Sequence, residues 1–300
     1  MKVIAEHGND GLAKVYVGEV DGGHRIEFVE SVQPPRTRED KWVNIISTSV
    51  GCPISCKMCD AGGHYARPLS VEELSAQVDH LVRNRFPNGE VTSQMWKIQL
   101  ARMGEPTLNP AVLDFLRGLA NYGHDNVVIS FSTVAPSNCA PFIQQLRSIK
   151  DAAFRGRFQL QFSIHSTDNA ARLRLIPARC LILPEMAALG RQFRNQADKK
   201  VTLNFIVIKG VEIDPRRIAS LFDTENYIIK LTPLNPTYRA RYHKVQPGFD
   251  AEKPETVSGL VKRFEEKGFE VILSIGELEE NRIGSNCGQY VSTMNDSGVI

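Results

Sequence analysis

The sequence predicts an α/β fold, a partial (β/α)6 barrel of TIM-like winding with a small N-terminal β-hairpin extension. Two observations carry this. From residue 42 onward, apolar runs of strand length alternate with amphipathic helical stretches, the pattern of parallel strands joined by crossover helices. The residues with chemical character then recur at the carboxyl ends of those strands, where sheets of this kind bind ligands. The 300 residues divide into 1–41 for the hairpin and a connector, 42–276 for the barrel, and 277–300 for a C-terminal segment.

Residues 14–33 read as the hairpin, because both arms alternate around the turn signal Asp21-Gly22-Gly23. Residues 34–41 form a polar connector, and Val43–Ser49 is the first buried strand. A helix over Val71–Arg85 follows, opened by a capping box of Ser70 and Glu73, with Leu74, Val78, Leu81 and Val82 at helical spacing. Met95–Ala101 is the second strand and Pro110–Ala120 its helix; Val127–Ser132 is the third, with a helix near Ala140–Ile149. Phe158–Ile164 is the fourth, followed by helical segments at Asn169–Leu175 and Pro184–Gln196. Val201–Ile208 is the fifth, with a helix over Pro215–Phe222, and Tyr227–Thr232 is the sixth. An irregular basic loop (232–250), a helix near Pro254–Lys267 and a last strand, Phe269–Ser274, complete the barrel.

With 42% hydrophobic residues the chain can bury a sizeable core, and 23% charged residues mark an ordinary soluble protein. The net charge of +2 is too small to argue for nucleic acid. The amino terminus lacks the apolar core of a signal peptide, and no stretch approaches the ~20 apolar residues of a membrane span. Six cysteines, three of them clustered, do not form an extracellular disulfide framework. A cytoplasmic location and a monomeric state are expected.

Cys52, Cys56 and Cys59 carry the strongest chemical signal. Three thiolates this close, on a loop after an apolar strand, can hold three irons of a cubane cluster and leave the fourth open to a small molecule. The alternative is a zinc site completed by His64, although closed zinc sites usually use two spaced ligand pairs. Beyond the loop, Gly104-Glu105-Pro106 follows the second strand and Ser132-Thr133 ends the third. Ser163-Ile164-His165 ends the fourth, and Asn235-Pro236 follows the sixth.

With these residues assembled, the chain resembles the radical S-adenosylmethionine (SAM) superfamily, whose partial barrel holds a [4Fe–4S] cluster and SAM. Within it, Met103-Gly104-Glu105-Pro106-Thr107-Leu108-Asn109, Ser163-Ile164-His165, Thr232-Pro233-Leu234-Asn235-Pro236 and Asn286-Cys287-Gly288-Gln289 occur in the order seen in class A methyltransferases. These are the RlmN- and Cfr-type adenine methyltransferases of ribosomal and transfer RNA. The resemblance runs from about residue 14 to 291. It implies that Cys52, Cys56 and Cys59 are cluster ligands. Gly104 and Glu105 would grip the SAM amino group, a charge-assisted pair. Ser132, Ser163, Ile164, His165 and Asn235 would contact its other parts. Cys287 would be the methyl carrier and Glu30 the acid–base group near the substrate. An electron donor such as flavodoxin or ferredoxin is implied as well.

The chain departs from that family in two ways. Ile45 stands where the family keeps a second cysteine, seven residues before the first cluster cysteine, which releases the covalent adduct by closing a disulfide. Cys139 or Cys180 is a substitute only if the fold brings it near Cys287. Only about a dozen residues precede the hairpin, where the RNA enzymes carry a helical RNA-contacting domain. The expected function is therefore transfer of a SAM-derived one-carbon unit, through S-methylated Cys287, to an sp2 carbon of a small heteroaromatic or nucleotide-like metabolite. The alternatives are adenine C-methylation of rRNA or tRNA, and non-methylating radical chemistry with Cys287 as thiyl or hydrogen donor. Basic runs (Arg155, Arg157, Arg172, Arg174 and Arg179; Arg191, Arg194, Lys199 and Lys200; then Lys230, Arg239, Arg241, His243 and Lys244) read mainly as solvated faces, the last lying at the active-site end, where a phosphate, a nucleotide or an RNA end is the alternative partner.

Overall fold

The computed structural model describes residues 1–121, 125–286 and 290–291. One sheet of ten strands runs through it, in the order β1-β2-β3-β4-β7-β8-β9-β10-β11-β12. Its first three members, β1 (Lys2–Gly8), β2 (Ala13–Val20) and β3 (His24–Ser31), form an antiparallel meander that joins β4 (Lys41–Ile46) edge to edge. From β4 onward every pairing is parallel: β7 (Met95–Leu100), β8 (Val127–Thr133), β9 (Phe158–Ser163), β10 (Val201–Ile206), β11 (Tyr227–Thr232) and β12 (Val271–Leu273). A two-residue ribbon, β5 (Ser49–Val50) with β6 (Arg67–Pro68), flanks the cysteine loop. The partial barrel predicted from the alternation is thus present.

Helix α1 (Val71–Arg85) has the predicted ends, with the Ser70–Glu73 capping box complete in both directions. Helices α2 (Ala111–Asn121), α3 (Ala140–Ala153), α4 (Asn169–Leu175), α5 (Leu183–Phe193) and α6 (Pro215–Leu221) follow their strands as expected. Three details differ. The extension has a third strand, β1, whose half-exposed sequence gives a weak pattern and which β2 recruits by pairing. The loop after β11 contains a short helix, α7 (Tyr238–Tyr242), capped by the Thr237 side chain. The next helix opens as a 3-10 turn, Pro254–Val257, before α8 (Ser258–Glu265). The C-terminal helix α9 (Leu278–Ile283) folds back on the meander, where Ile283 joins Leu12, Ala13, Val15 and Val29.

Strand alternation separates the two faces of the sheet. Trp96, Ile98 and Leu100 of β7, Phe158, Leu160 and Phe162 of β9, and Tyr227, Ile229 and Leu231 of β11 are buried in the main core with the helices. Each such side chain contributes about 1.5–3 kcal/mol. The intervening positions, Lys97 and Gln99, Gln159 and Gln161, Lys230 and Thr232, are only half-buried. Parallel strands are ordinarily apolar on both faces. Here the inner face carries polar residues, half-buried on these three strands. No helix among the described residues is long and apolar enough to cross a membrane.

Candidate active site at the cysteine loop

The loop that carries Cys52, Cys56 and Cys59 starts where β4 ends. Gln77 of α1, fully buried, accepts the Ser47 N–H at 2.8 Å and donates to the Ser47 carbonyl at 3.0 Å, which pins the strand end. Gly51 turns the chain with φ +68°, and a Cβ there would lie 2.3 Å from the His64 carbonyl oxygen. The backbone N–H groups of Ile54, Ser55 and Gly104 reach the Cys52 sulfur, while burial pushes that thiol up to about 11. Cys56 is pushed further up, first by burial and then by the nearby Cys59, Cys52 and Cys180 sulfurs and Glu105. Crowded thiols that resist ionisation fit a cationic iron cluster, which would relieve both penalties. Among the described residues no group of three or more His, Cys, Asp or Glu side chains is already drawn together around a metal ion, the three cysteines included.

Asp60 and Arg239 hold this loop from behind. Asp60 accepts the Tyr238 and Arg239 N–H groups at 3.0 and 2.8 Å, capping α7. Arg239 donates to the carbonyls of Cys56 and Ser55 at 3.3 and 3.1 Å. The helix hidden in the basic loop is therefore a buttress for the cysteines. Asn235, Asp60 and Tyr238 line a cleft of about 210 Å³ that Asn281 and Arg282 close from the C-terminal side.

The cofactor-gripping candidates gather at the same end. Gly104 has φ +104°, and a Cβ would come within 2.4 Å of the Thr48 and Ser49 hydroxyls, so only glycine lets the two loops touch. Glu105 is buried. One oxygen accepts the Thr107 N–H (3.2 Å) and hydroxyl (2.7 Å), the other the Val134 N–H (2.9 Å). Burial raises its pKa despite these bonds, a penalty that an ammonium partner would remove. His165 is buried with φ +63°, and its Nδ1 accepts the Ile206 N–H at 3.1 Å. Burial and then the Arg172 charge hold its pKa at about 3. The neutral ring must then carry its proton on Nε2, as a donor. Ile164 is buried beside it, with its N–H on the Asn204 carbonyl at 2.9 Å. Ser132 and Ser163 are half-buried at the carboxyl ends of β8 and β9, and Ser132 accepts from Gln161 at 3.1 Å. Arg172 is not on a solvated face. It is buried, donating to the Leu181 and Val134 carbonyls at 2.8 and 2.7 Å, within range of the Cys56 and Cys180 charges.

Glu30, expected as an acid–base group, is 1% exposed and bound by Arg85 in the last turn of α1. Arg85 binds both oxygens (2.6 and 3.2 Å), and Trp42 Nε1 and the Tyr16 hydroxyl donate at 3.0 Å each. Burial alone would raise the Glu30 pKa, but Arg85, Trp42 and Tyr16 outweigh it and the net shift is downward. A depressed folded-state value adds stability at neutral pH that is lost as the pH falls below about 4.5. Glu30→Gln is expected to lower unfolding free energy by about 2 kcal/mol. Chemical denaturation at pH 7 and 4 should show that difference shrinking with acidity, with 5′-deoxyadenosine formation unchanged.

The glutamate that does face the site end is Glu27. It is fully buried and paired with the buried Arg102 at 2.5 Å. Arg102 also donates to the carbonyls of Gly284 (2.8 Å), Ser285 (2.9 Å) and Asn286 (3.4 Å), and Glu27 accepts the Val291 N–H at 2.7 Å. One ion pair therefore ties residues on both sides of Cys287, which itself lies outside the described residues. Ile45, half-buried, packs with Ile283 and Tyr290 in the same apolar cluster. Cys180, half-buried, lies beside the cysteine loop, while Cys139 is buried at the start of α3.

A thiol-rich loop, a glycine–glutamate turn and a neutral histidine meeting at the mouth of a half-barrel is the build of a radical SAM enzyme, which works with a [4Fe–4S] cluster and SAM. No family model matches the sequence. It is 26% identical over 298 residues to the dual-specificity RNA methyltransferase RlmN of Syntrophobacter fumaroxidans, covering 96% of this chain and 78% of that one. A probable RlmN of Desulfitobacterium hafniense is 29% identical, with 92% and 78% covered. Among solved structures, a radical SAM methyltransferase from Sphaerobacter thermophilus shares the fold with TM-score 0.76 at 23% identity, covering 96% and 80%. The chain is thus an enzyme similar to the radical SAM methyltransferases of the RlmN type.

Proposed function

We propose that the protein transfers a SAM-derived one-carbon unit through Cys287 to an sp2 carbon of a small heteroaromatic or nucleotide-like acceptor. The supporting observation is the tethering of both flanks of Cys287 to the buried Glu27–Arg102 pair. Spending a buried charge pair on a terminal segment makes sense when that segment must hold one atom in place. When bound, the cluster and SAM supply one-electron C–S cleavage and the methyl group. The chain's part is positional. Cys52, Cys56 and Cys59 hold the cluster, and Asp60 and Arg239 hold their loop. Glu105 meets the SAM ammonium, with Gly104 setting the approach, and His165 Nε2 donates to an acceptor on SAM. Ser132, Ser163, Ile164 and Asn235 line the rest. Ile45 offers an apolar wall where relatives of the family keep a thiol, so release of the adduct needs another thiol or another route.

Anaerobic reaction with methyl-labelled SAM tests the reading. Label should pass to the small-molecule fraction with the wild type and not with Cys287→Ala. A second reading, adenine methylation in RNA, is favoured by the names of the relatives and by Tyr238 and Tyr242, stacked and exposed beside Arg241. Label found only in RNA would replace the first reading with the second.

A further inference from the structure

One cation at the site end is buried and meets no counter-charge. Arg172, on α4, is 5% exposed, and no carboxylate among the described residues pairs with it. Its two terminal nitrogens are spent on backbone, on the Leu181 carbonyl at 2.8 Å and the Val134 carbonyl at 2.7 Å. Its Nε is buried without a hydrogen-bond partner among the described residues. An arginine keeps its proton inside a protein, so a full charge is held here out of water. Such a charge is destabilising unless one of opposite sign offsets it. The backbone shows where that partner belongs. The N–H of Lys57, the residue after Cys56, donates to the Leu175 carbonyl at 2.9 Å, one turn along α4 from Arg172. Val134, whose carbonyl Arg172 holds, gives its own N–H to Glu105 at 2.9 Å. Arg172 therefore stands where the cysteine loop and the glutamate turn meet.

We infer that Arg172 is the fixed counter-charge of the iron–sulfur cluster and raises its reduction potential. This rests on the reading of Cys52, Cys56 and Cys59 as cluster ligands. One electron from an external donor adds one negative charge to a thiolate-bound cluster. The protein's levers on that step are nearby charge, hydrogen bonds and burial. A cation that water does not screen attracts the reduced form more than the oxidised one, so it favours reduction. Arginine suits the task. Its charge does not titrate, and the bonds to Val134 and Leu181 fix the guanidinium in one place. Burial first, and this charge second, also keep the His165 ring neutral, so Arg172 is the cation that remains there.

Anaerobic redox titration of the reconstituted enzyme without SAM, followed by the paramagnetic signal of the reduced cluster, tests this without turnover. Arg172→Gln removes the charge and keeps an amide donor for the carbonyls. At a fixed potential its ratio of reduced to oxidised cluster should drop at least about tenfold, a midpoint shift of about 59 mV for a one-electron couple. Arg172→Lys should keep a midpoint close to the wild type while its melting temperature falls, because the charge stays and the forked hydrogen bonds go. Arg174→Gln, exposed on the same helix, should leave the midpoint unchanged, since water screens that charge. If Arg172→Gln holds no cluster, the lysine variant decides: a cluster kept there supports the counter-charge, and a cluster lost in both overturns it. An unchanged midpoint in Arg172→Gln overturns it as well, and weaker SAM binding in that variant would then assign the charge to the carboxylate of SAM. Wild-type protein that takes up no iron would bring down the cluster reading instead.

Discussion

Alanine at Cys52, Cys56 or Cys59 is expected to yield a folded but colourless, iron-poor protein that forms no 5′-deoxyadenosine on reduction. The loop does not depend on the thiols for its shape. Gly51 at positive φ, the Asp60 cap on α7 and the Arg239 bonds to Ser55 and Cys56 carbonyls set its course. Losing one sulfur should therefore leave circular dichroism and melting near wild type. Cluster assembly is another matter, because three sulfurs are the whole protein ligand set and a cubane held at two corners is labile. Iron and sulfide content measure the outcome, with Cys139→Ala as the control that retains both. Stoichiometric iron in Cys56→Ala would remove the cluster reading, and the rest of the mechanism with it.

Arg102→Met is expected to have the second-largest effect, on stability and on Cys287 together. Removing one partner of a buried ion pair costs about 3–5 kcal/mol, because the other charge stays uncompensated. Domains commonly have only about 5–15 kcal/mol in hand. Three carbonyls on the near flank of Cys287 lose their donor at the same time. Denaturant unfolding should show the loss, and the double variant Glu27→Gln/Arg102→Met should recover part of it. Intact-protein mass measurement after SAM treatment should show the added methyl group on the wild type and little on Arg102→Met. The three cluster cysteines are untouched, so iron content should stay normal. Full methylation of Cys287 in Arg102→Met would reduce the pair to a structural tie.

The two glutamates of β3 show where sequence reading stops. Glu27 and Glu30 are three residues apart on one strand, so they point to opposite faces. Both sit among alternating apolar residues, and nothing local says which face meets α1 and which meets the C-terminal segment. That is settled by the pairing of β3 with β4 and by the contacts of Ile283 and Val291 with the meander, the latter joining residues more than 200 positions apart. Arg172 and Arg239 were misjudged for the same reason, since a charged run looks solvated until the carbonyls that bind it are in place.

Patterns confined to a dozen residues were enough for much of the rest. The capping box and 3.6-residue spacing of α1, the alternation of strands with helices, and three thiols on one short loop each act through near neighbours, so the chain states them outright. Tertiary structure alone decided which groups share a space: Glu27 with Arg102, and Asp60 with α7. Such meetings depend on register, burial and desolvation, quantities that exist only after distant segments have come together.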